Sequence, residues 1–274
     1  MIDSRKLIEI ANRYKLSEGG VEFWTPYWRD EVPSHQGEHP VRGLYNGKGS
    51  PDEIQEALEQ HIGQAKGHLK TGNDYRQFMA SIRLGVDCSG FIFHVFDEYL
   101  QDQGLNLADY LYKDRTALLK DFFNPAYTHP PHITEDLLQS QPEHVSLAKI
   151  QEFWGNQPVR LAGVRILTSL AANEVVPTVN KIRPGDQIVM DGRNVNIPHH
   201  ILVVEVTGDK LMYVHSGRLD VRAEGEVGGV EYGVITITNP NKPINHQDWH
   251  NQQLFNEHVM DDDCQRRLKV FNEL

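Results

Sequence analysis

The chain has 274 residues, and 39% of them are hydrophobic, which is enough to bury a sizeable core in one large domain or two small ones. Its formal net charge is −11 and it has no cluster of Lys and Arg, which argues against nucleic acid or an anionic membrane as partner. It also lacks the roughly 18 consecutive apolar residues of a membrane span and the basic-then-apolar order of a secretory signal. We therefore expect a cytoplasmic protein, or a secreted one if the natural chain begins earlier.

Helical patterns dominate the first part of the chain. Leu7, Ile10 and Tyr14 fall on one face of a helix predicted over residues 3–14. A second helix is predicted to begin after Ser50, with Pro51 as its first residue and Glu53 closing a capping box. We expect residues 1–70 to form a helical extension packed on the core.

Cys88 lies at the start of a third predicted helix. Apolar residues recur behind it at helical spacing, namely Phe91, Ile92, Val95, Phe96 and Leu100. The free N–H groups and the dipole at a helix N-terminus favour a thiolate, and Gly90 would leave room for a substrate. Cys88 is therefore a candidate nucleophile. The alternative is a small buried hydrophobic residue, which is the common fate of free cysteines.

The pattern changes twice after this helix. Residues 97–183 read as a helical insertion broken by Pro-rich turns. Short β-rich runs follow and indicate an antiparallel sheet, namely "DQIVM", "HILVVEV", "KLMYVHS" and "EYGVITIT". We expect residues 71–245 to form the main domain, insertion included, and residues 246–274 to form a polar tail that ends in a helix.

A thiol nucleophile needs a base, and His200 at the start of an apolar strand is the candidate. His199 should point to the opposite face, because side chains alternate along a strand. A hairpin through "TGDK" would bring His215 back to His200, where it could hydrogen-bond the far ring nitrogen and fix the tautomer.

No cofactor or metal is expected. Two cysteines, Cys88 and Cys264, cannot build a disulfide framework or a four-thiolate zinc site. The 14 histidines form no H-E-x-x-H motif, and no acid or cysteine completes an obvious zinc site with His199, His200 and His215.

Three motifs resemble those of the NlpC-type cell-wall peptidases, which are papain-like cysteine endopeptidases. They are "DCSGF" at 87–91, "RPGDQIVM" at 183–190 and "HILVVEV…YVHSG" at 200–217, and with Tyr75 they span two blocks, 75–96 and 181–217. The resemblance implies an α+β papain-like fold in which the nucleophile helix packs on a small antiparallel sheet.

The same resemblance implies roles for individual residues. Cys88 would be the nucleophile, His200 the general base and His215 the orienting third residue. Tyr75 lies near the position of a tyrosine that helps to bind the oxyanion or the substrate. Asp87 and Ser89 occupy positions that in many members recognise a free amine on a peptide stem.

The leading hypothesis is a thiol hydrolase that cleaves an amide bond through an acyl-enzyme. The resemblance implies a peptide or muropeptide substrate, cut as by a γ-D-glutamyl endopeptidase of peptidoglycan stem peptides. A thiol acyltransferase or amidase on a non-wall substrate is one alternative. A catalytically silent binding module on the same fold is the other.

Overall fold

A seven-stranded antiparallel sheet forms the centre of the protein. The structure is a computed structural model that describes residues 2–29, 43–65, 67–111, 159, 163–190, 198–217, 227–258 and 264–274. The sheet strands are β3 (Asn173–Val175), β4 (Gln187–Met190), β5 (His199–Thr207), β6 (Lys210–Gly217), β7 (Gly229–Thr236), β8 (Asp248–Trp249) and β9 (Gln265–Leu268). Their order in the sheet is β3-β9-β4-β5-β6-β7-β8. A separate hairpin joins β1 (Lys15–Glu18) to β2 (Val21–Trp24).

Seven α-helices lie in the described ranges. They are α1 (Ser4–Asn12), α2 (Pro51–His61), α3 (Gly72–Ser81), α4 (Cys88–Gln101), α5 (Leu107–Leu111), α6 (Val164–Leu167) and α7 (Gln252–Glu257). The fold is thus mixed α and β, as the sequence predicted. None of the helices in these ranges is long and apolar enough to cross a membrane.

Two hydrophobic cores lie on opposite faces of the sheet. The first joins α1 and α4 to the face that carries Leu202, Val204 and Val214, with the Tyr14 and Phe91 rings 5.0 Å apart. The second contains Ile201, Val203, Tyr213 and Trp249. Along β5 and β6, even-numbered residues such as Leu202 and Val214 therefore face the first core, and odd-numbered residues such as Ile201 and Tyr213 face the second.

Local capping explains where the helices begin. Asp3 caps α1, and Asp87 caps α4 by accepting a hydrogen bond from Gly90 N at 2.6 Å. The predicted capping box of α2 is confirmed, since Ser50 and Glu53 satisfy each other's backbone N–H groups. The four predicted β-rich runs are confirmed as β4, β5, β6 and β7.

Three of the predicted segments differ from the structure. The predicted helical extension at residues 1–70 contains the β1–β2 hairpin as well as helices. The predicted helical tail is wrong at residues 265–268, which form β9 between β3 and β4. "QRRL" carries no strand signal of its own, and pairing with its two neighbours makes it a strand. The predicted insertion also contributes β3 to this sheet, while its residues 112–158 and 160–162 lie outside the described residues.

A β-bulge shifts the register between β5 and β6. Next to the turn, Thr207 pairs with Lys210 and Glu205 with Met212. Beyond a shift between Val203 and Glu205, Leu202 pairs with Val214. A bulge adds one residue to one strand, so every β6 side chain beyond it faces the side opposite to that expected from the turn.

Candidate active site

The segment in front of Cys88 is held by backbone hydrogen bonds. Val86 N donates to Pro26 O at 3.0 Å, and Trp28 N donates to Val86 O at 3.3 Å. The Ser216 hydroxyl on β6 donates to the same Val86 oxygen at 2.6 Å. These contacts fix the point at which α4 begins against the sheet.

Cys88 is the first residue of α4, as the sequence predicted, and is 5% exposed. Gly90 does not leave room for a substrate in the way the sequence suggested. A Cβ at Gly90 would lie 2.2 Å from Gly47 O, so the space beside the helix start is filled by the chain itself. Glycine is required at position 90 because the segment at residues 47–48 crosses the helix there.

His200 lies beside Cys88, on the sheet face that the first core covers. The backbone of His200 interacts with the Cys88 thiol, and the backbone of Cys88 interacts with the His200 imidazole. His200 is fully buried, and its Nε2 atom has no hydrogen bond of normal geometry among the described residues. The sequence-predicted nucleophile and base are therefore brought together.

The pKa values of this pair shift away from an ion pair. Burial, with the Asp87 carboxylate adding to it and Lys48 and Arg29 opposing it, raises the pKa of Cys88 to about 12. Burial, together with the charge of Lys48, lowers the pKa of His200 to about 3. The expectation that the helix start stabilises a thiolate is not met, because desolvation outweighs it. The resting pair is a neutral thiol and a neutral imidazole.

Gln187 holds the other side of the His200 ring. His200 Nδ1 lies 3.0 Å from Gln187 Oε1. The Gln187 amide nitrogen donates to Leu167 O at 3.1 Å and to Asn173 Oδ1 at 3.3 Å. Asn173 in turn donates to Leu167 O and Ser169 O.

This network sets the tautomer of His200. The Leu167 carbonyl can only accept, so it orients the Gln187 amide with Nε2 towards itself and Oε1 towards His200. His200 Nδ1 must then carry the proton. Nε2 is left with a lone pair, which is the form that a general base requires.

His215 does not contact His200, and the prediction that it orients this ring is wrong. His215 Nδ1 lies 2.9 Å from Nε2 of His199, on the opposite face of the sheet. If the strand pairing next to the turn continued along the hairpin, His215 would pair with Leu202 and lie on the His200 face. The bulge between Val203 and Glu205 shifts the pairing by one residue, so His215 lies on the other face.

His199 and His215 belong to a buried polar cluster in the second core. The His199 ring stacks on His258 with centroids 5.2 Å apart, and His215 Nε2 lies 3.2 Å from Glu231 Oε1. Burial holds the pKa of His199 well below its ordinary value. In the part of the chain that the structure describes, no group of three or more His, Cys, Asp or Glu side chains has the arrangement of a metal site.

Asp87 and Ser89 bind a side chain of the protein itself. Lys48 Nζ donates to Asp87 Oδ1 at 2.9 Å and Oδ2 at 2.8 Å, and also to Ser89 Oγ. Ser89 Oγ donates to Asp87 Oδ1 at 3.0 Å. A substrate amine could use these acceptors, as the resemblance implies, only by displacing Lys48.

Tyr75 is not part of the group around Cys88. Its ring stacks on Phe23 of β2 with centroids 4.7 Å apart. A Cβ at Gly19, in the β1–β2 turn, would lie 3.0 Å from the Tyr75 hydroxyl oxygen. The hydroxyl thus faces the hairpin, and the structure gives no support for an oxyanion role.

Two residues that the sequence analysis did not select stand at this site. Gln187 is a fully buried polar residue that opens the apolar strand β4, a pattern that could have marked it. Lys48 gave no comparable signal, because its contact with Asp87 depends on how the loop at residues 43–50 crosses α4.

No family model matches the chain, and searches of curated proteins and of solved structures gave no match either. The site geometry and the three sequence motifs are therefore the basis for a functional interpretation.

Proposed function

We propose that the protein is a cysteine-dependent amide hydrolase in which Cys88 is the nucleophile and His200 the general base. The observation that carries the proposal is the Cys88–His200–Gln187 arrangement. A thiol at a helix start lies beside His200, the backbone of each residue interacting with the side chain of the other, and the His200 Nδ1 atom is bonded to an amide oxygen. A Cys-His pair with an oriented imidazole is the general design of thiol acyl-transfer enzymes.

The neutral resting pair favours proton transfer during attack rather than a preformed thiolate. Cys88 Sγ would attack the carbonyl carbon as its proton moves to His200 Nε2. The resulting imidazolium would give that proton to the leaving amine, so the amide bond breaks and a thioester forms. Water, deprotonated by the same nitrogen, would then release the acid and restore the thiol.

The start of α4 carries the groups that we propose for the developing oxyanion. Backbone N–H groups at the beginning of α4 lie beside Cys88, and such groups stabilise negative charge. Together with the antiparallel sheet against which α4 packs, this is the arrangement that we propose to be papain-like.

We propose peptidoglycan stem peptides as the substrate class, because the three sequence motifs resemble those of the NlpC-type peptidases. The Lys48 contact modifies this proposal. Since Asp87 and Ser89 already bind the Lys48 ammonium, recognition should not depend on a free amine at that point.

A matched pair of peptides tests the proposed function. A γ-D-glutamyl stem peptide and its N-acetylated form are incubated with the protein, and the products are identified by mass spectrometry. We expect both to be cleaved, with loss of cleavage in Cys88→Ala and His200→Ala and retention in Cys264→Ala. Cleavage of the free-amine peptide alone would contradict the role assigned to Lys48 in specificity.

An activated ester separates the chemistry from the choice of peptide. p-Nitrophenyl acetate should acylate Cys88, which a mass shift on the Cys88 peptide detects, and His200→Ala should abolish this reaction. Cleavage that survives Cys88→Ala, or failure of both the ester and the peptides to react at Cys88, would refute the thiol mechanism.

A further inference from the structure

Lys48 is a buried cation that bonds the two residues flanking the proposed nucleophile, Asp87 and Ser89. Its side chain and that of Asp87 are 9% and 7% exposed, and their charged atoms approach to 2.8 Å. The ammonium also donates to Ser89, so Lys48 bonds the residues on both sides of Cys88.

The backbone around Lys48 is fixed as tightly as its side chain. Gly47 has a φ of +83°, and a Cβ there would lie 2.2 Å from Trp28 O, so only glycine fits the turn. Gly47 O accepts from Asp87 N at 2.9 Å, and Lys48 O accepts from His94 Nε2 at 2.8 Å. The loop is thus bonded to α4 before and after the position of Cys88.

Stability alone is a weak reason for such a pair. Desolvation of two buried charges often cancels their attraction, and apolar residues of similar size can replace a buried ion pair without loss. The position beside Cys88 suggests a different role. The Asp87 carboxylate caps α4 through Gly90 N, and its negative charge opposes formation of a thiolate at the next residue.

We propose that Lys48 is a positioning residue for the nucleophile, which holds Asp87 and Ser89 across the start of α4 and balances the carboxylate charge next to Cys88. Asp87 can then cap the helix without preventing Cys88 from losing its proton. The directions of the pKa shifts agree, since Asp87 raises the pKa of Cys88 and Lys48 lowers it. Arg29 and His200 also face the thiol and stay unchanged in the test below. This inference rests on the proposed function only in taking Cys88 as the reactive thiol.

The proposal predicts that removing the charge of Lys48 and removing the charge of Asp87 change the alkylation rate of Cys88 in opposite directions. Iodoacetamide alkylation of Cys88 is followed by mass spectrometry between pH 8 and pH 9.5, in the range where the rate is proportional to the thiolate fraction. Lys48→Met should slow alkylation by about tenfold, because the Asp87 carboxylate then opposes the thiolate without a balancing charge. Asp87→Asn keeps a good cap residue but leaves Lys48 without the carboxylate, so it should accelerate alkylation. The double variant should return to within roughly threefold of the wild type.

Three comparisons exclude a merely structural effect. Lys6→Met removes an ammonium paired with Asp102, the cap at the opposite end of α4, and should leave the Cys88 profile unchanged. Cys264 alkylation reports general opening of the fold. If Lys48→Met does not fold, Asp87→Asn must still react faster than the double variant. Equal rates in all proteins, or shifts of the same sign in both single variants, would overturn the proposal. Because no turnover is involved, failure of peptide cleavage does not affect the result.

Discussion

Gln187 and His215 are both buried polar residues on strands next to β5, yet only Gln187 bonds the His200 ring. Gln187 pairs with Leu202 across β4 and β5 and so shares the His200 face. His215 would share that face if the turn register continued along the hairpin. One extra residue in β5 assigns it to the other core.

This difference predicts the effects of two alanine substitutions. Gln187→Ala removes the acceptor of His200 Nδ1 and leaves the imidazole free to change its orientation and tautomer. We expect a loss of roughly 10- to 100-fold in the rate of Cys88 acylation by p-nitrophenyl acetate, a fraction of what general base catalysis contributes. His215→Ala should keep the acylation rate within about threefold of the wild type, because His215 lies on the other face of the sheet.

Rescue distinguishes orientation from folding in this comparison. Gln187→Asn retains an amide but shortens its reach, and Gln187→Glu retains the reach and an acceptor oxygen. We expect Gln187→Glu to recover more activity than Gln187→Asn, with the lower arm of its pH–rate profile moved to higher pH by a raised His200 pKa. A larger loss in His215→Ala than in Gln187→Ala would restore His215 as the third residue.

At the level of elements, the loop at residues 43–50 is as much a part of the site as α4. Its Gly47 carbonyl occupies the space where a side chain at position 90 would lie. Local signals in the sequence predicted that a helix begins at Cys88, since a capping Asp and apolar spacing are short-range features. They did not predict this crossing or the Lys48 contact, which join residues about 40 positions apart through tertiary packing alone.

The loop crossing predicts a marked effect of Gly90→Ala. The added methyl group would lie 2.2 Å from Gly47 O and 3.1 Å from Lys48 Cα, so backbone has to move. We expect a decrease of about 1–3 kcal/mol in the free energy of unfolding, measured by urea denaturation, as is typical of overpacking. Gly63→Ala is the matched control, because a Cβ there meets no atom within 4 Å. Equal stability of the two variants would mean that the loop does not press on the helix start.

On the scale of the whole molecule, the sheet separates two groups of buried imidazoles. His200 lies in the first core and His199 in the second, and burial lowers the pKa of both. The alternation of His199 and His200 was predictable from the strand pattern, because apolar runs indicate which segments are strands. The pairing of His200 with Cys88 was predicted as well, whereas the cluster of His199 with His215 and His258 was not, since it depends on the β-bulge and on how the C-terminal segment covers the second core.

The buried histidines predict that the fold loses stability in mild acid. In the unfolded chain both residues bind a proton as the pH falls below about 6.5, whereas in the folded protein they remain neutral. Keeping these imidazoles neutral therefore costs no stability above that pH. Below it the free energy of unfolding declines, for His200 down to its folded pKa of about 3. Asp97 and Asp186 have raised pKa values, so their protonation opposes this loss at the acid end.

Urea denaturation at pH 7.5, 6.5 and 5.5 measures this effect. Each of the two histidines should contribute a decrease of up to about 1.4 kcal/mol per pH unit below 6.5. His199→Gln should be less stable at pH 7.5 but should show a smaller decrease towards pH 5.5, because one buried titrating group is gone. His68→Gln, at an exposed position, should follow the wild type. A free energy of unfolding that stays constant from pH 7.5 to pH 5.5 would contradict the neutral, buried state of these imidazoles, and with it the resting form of the Cys88–His200 pair.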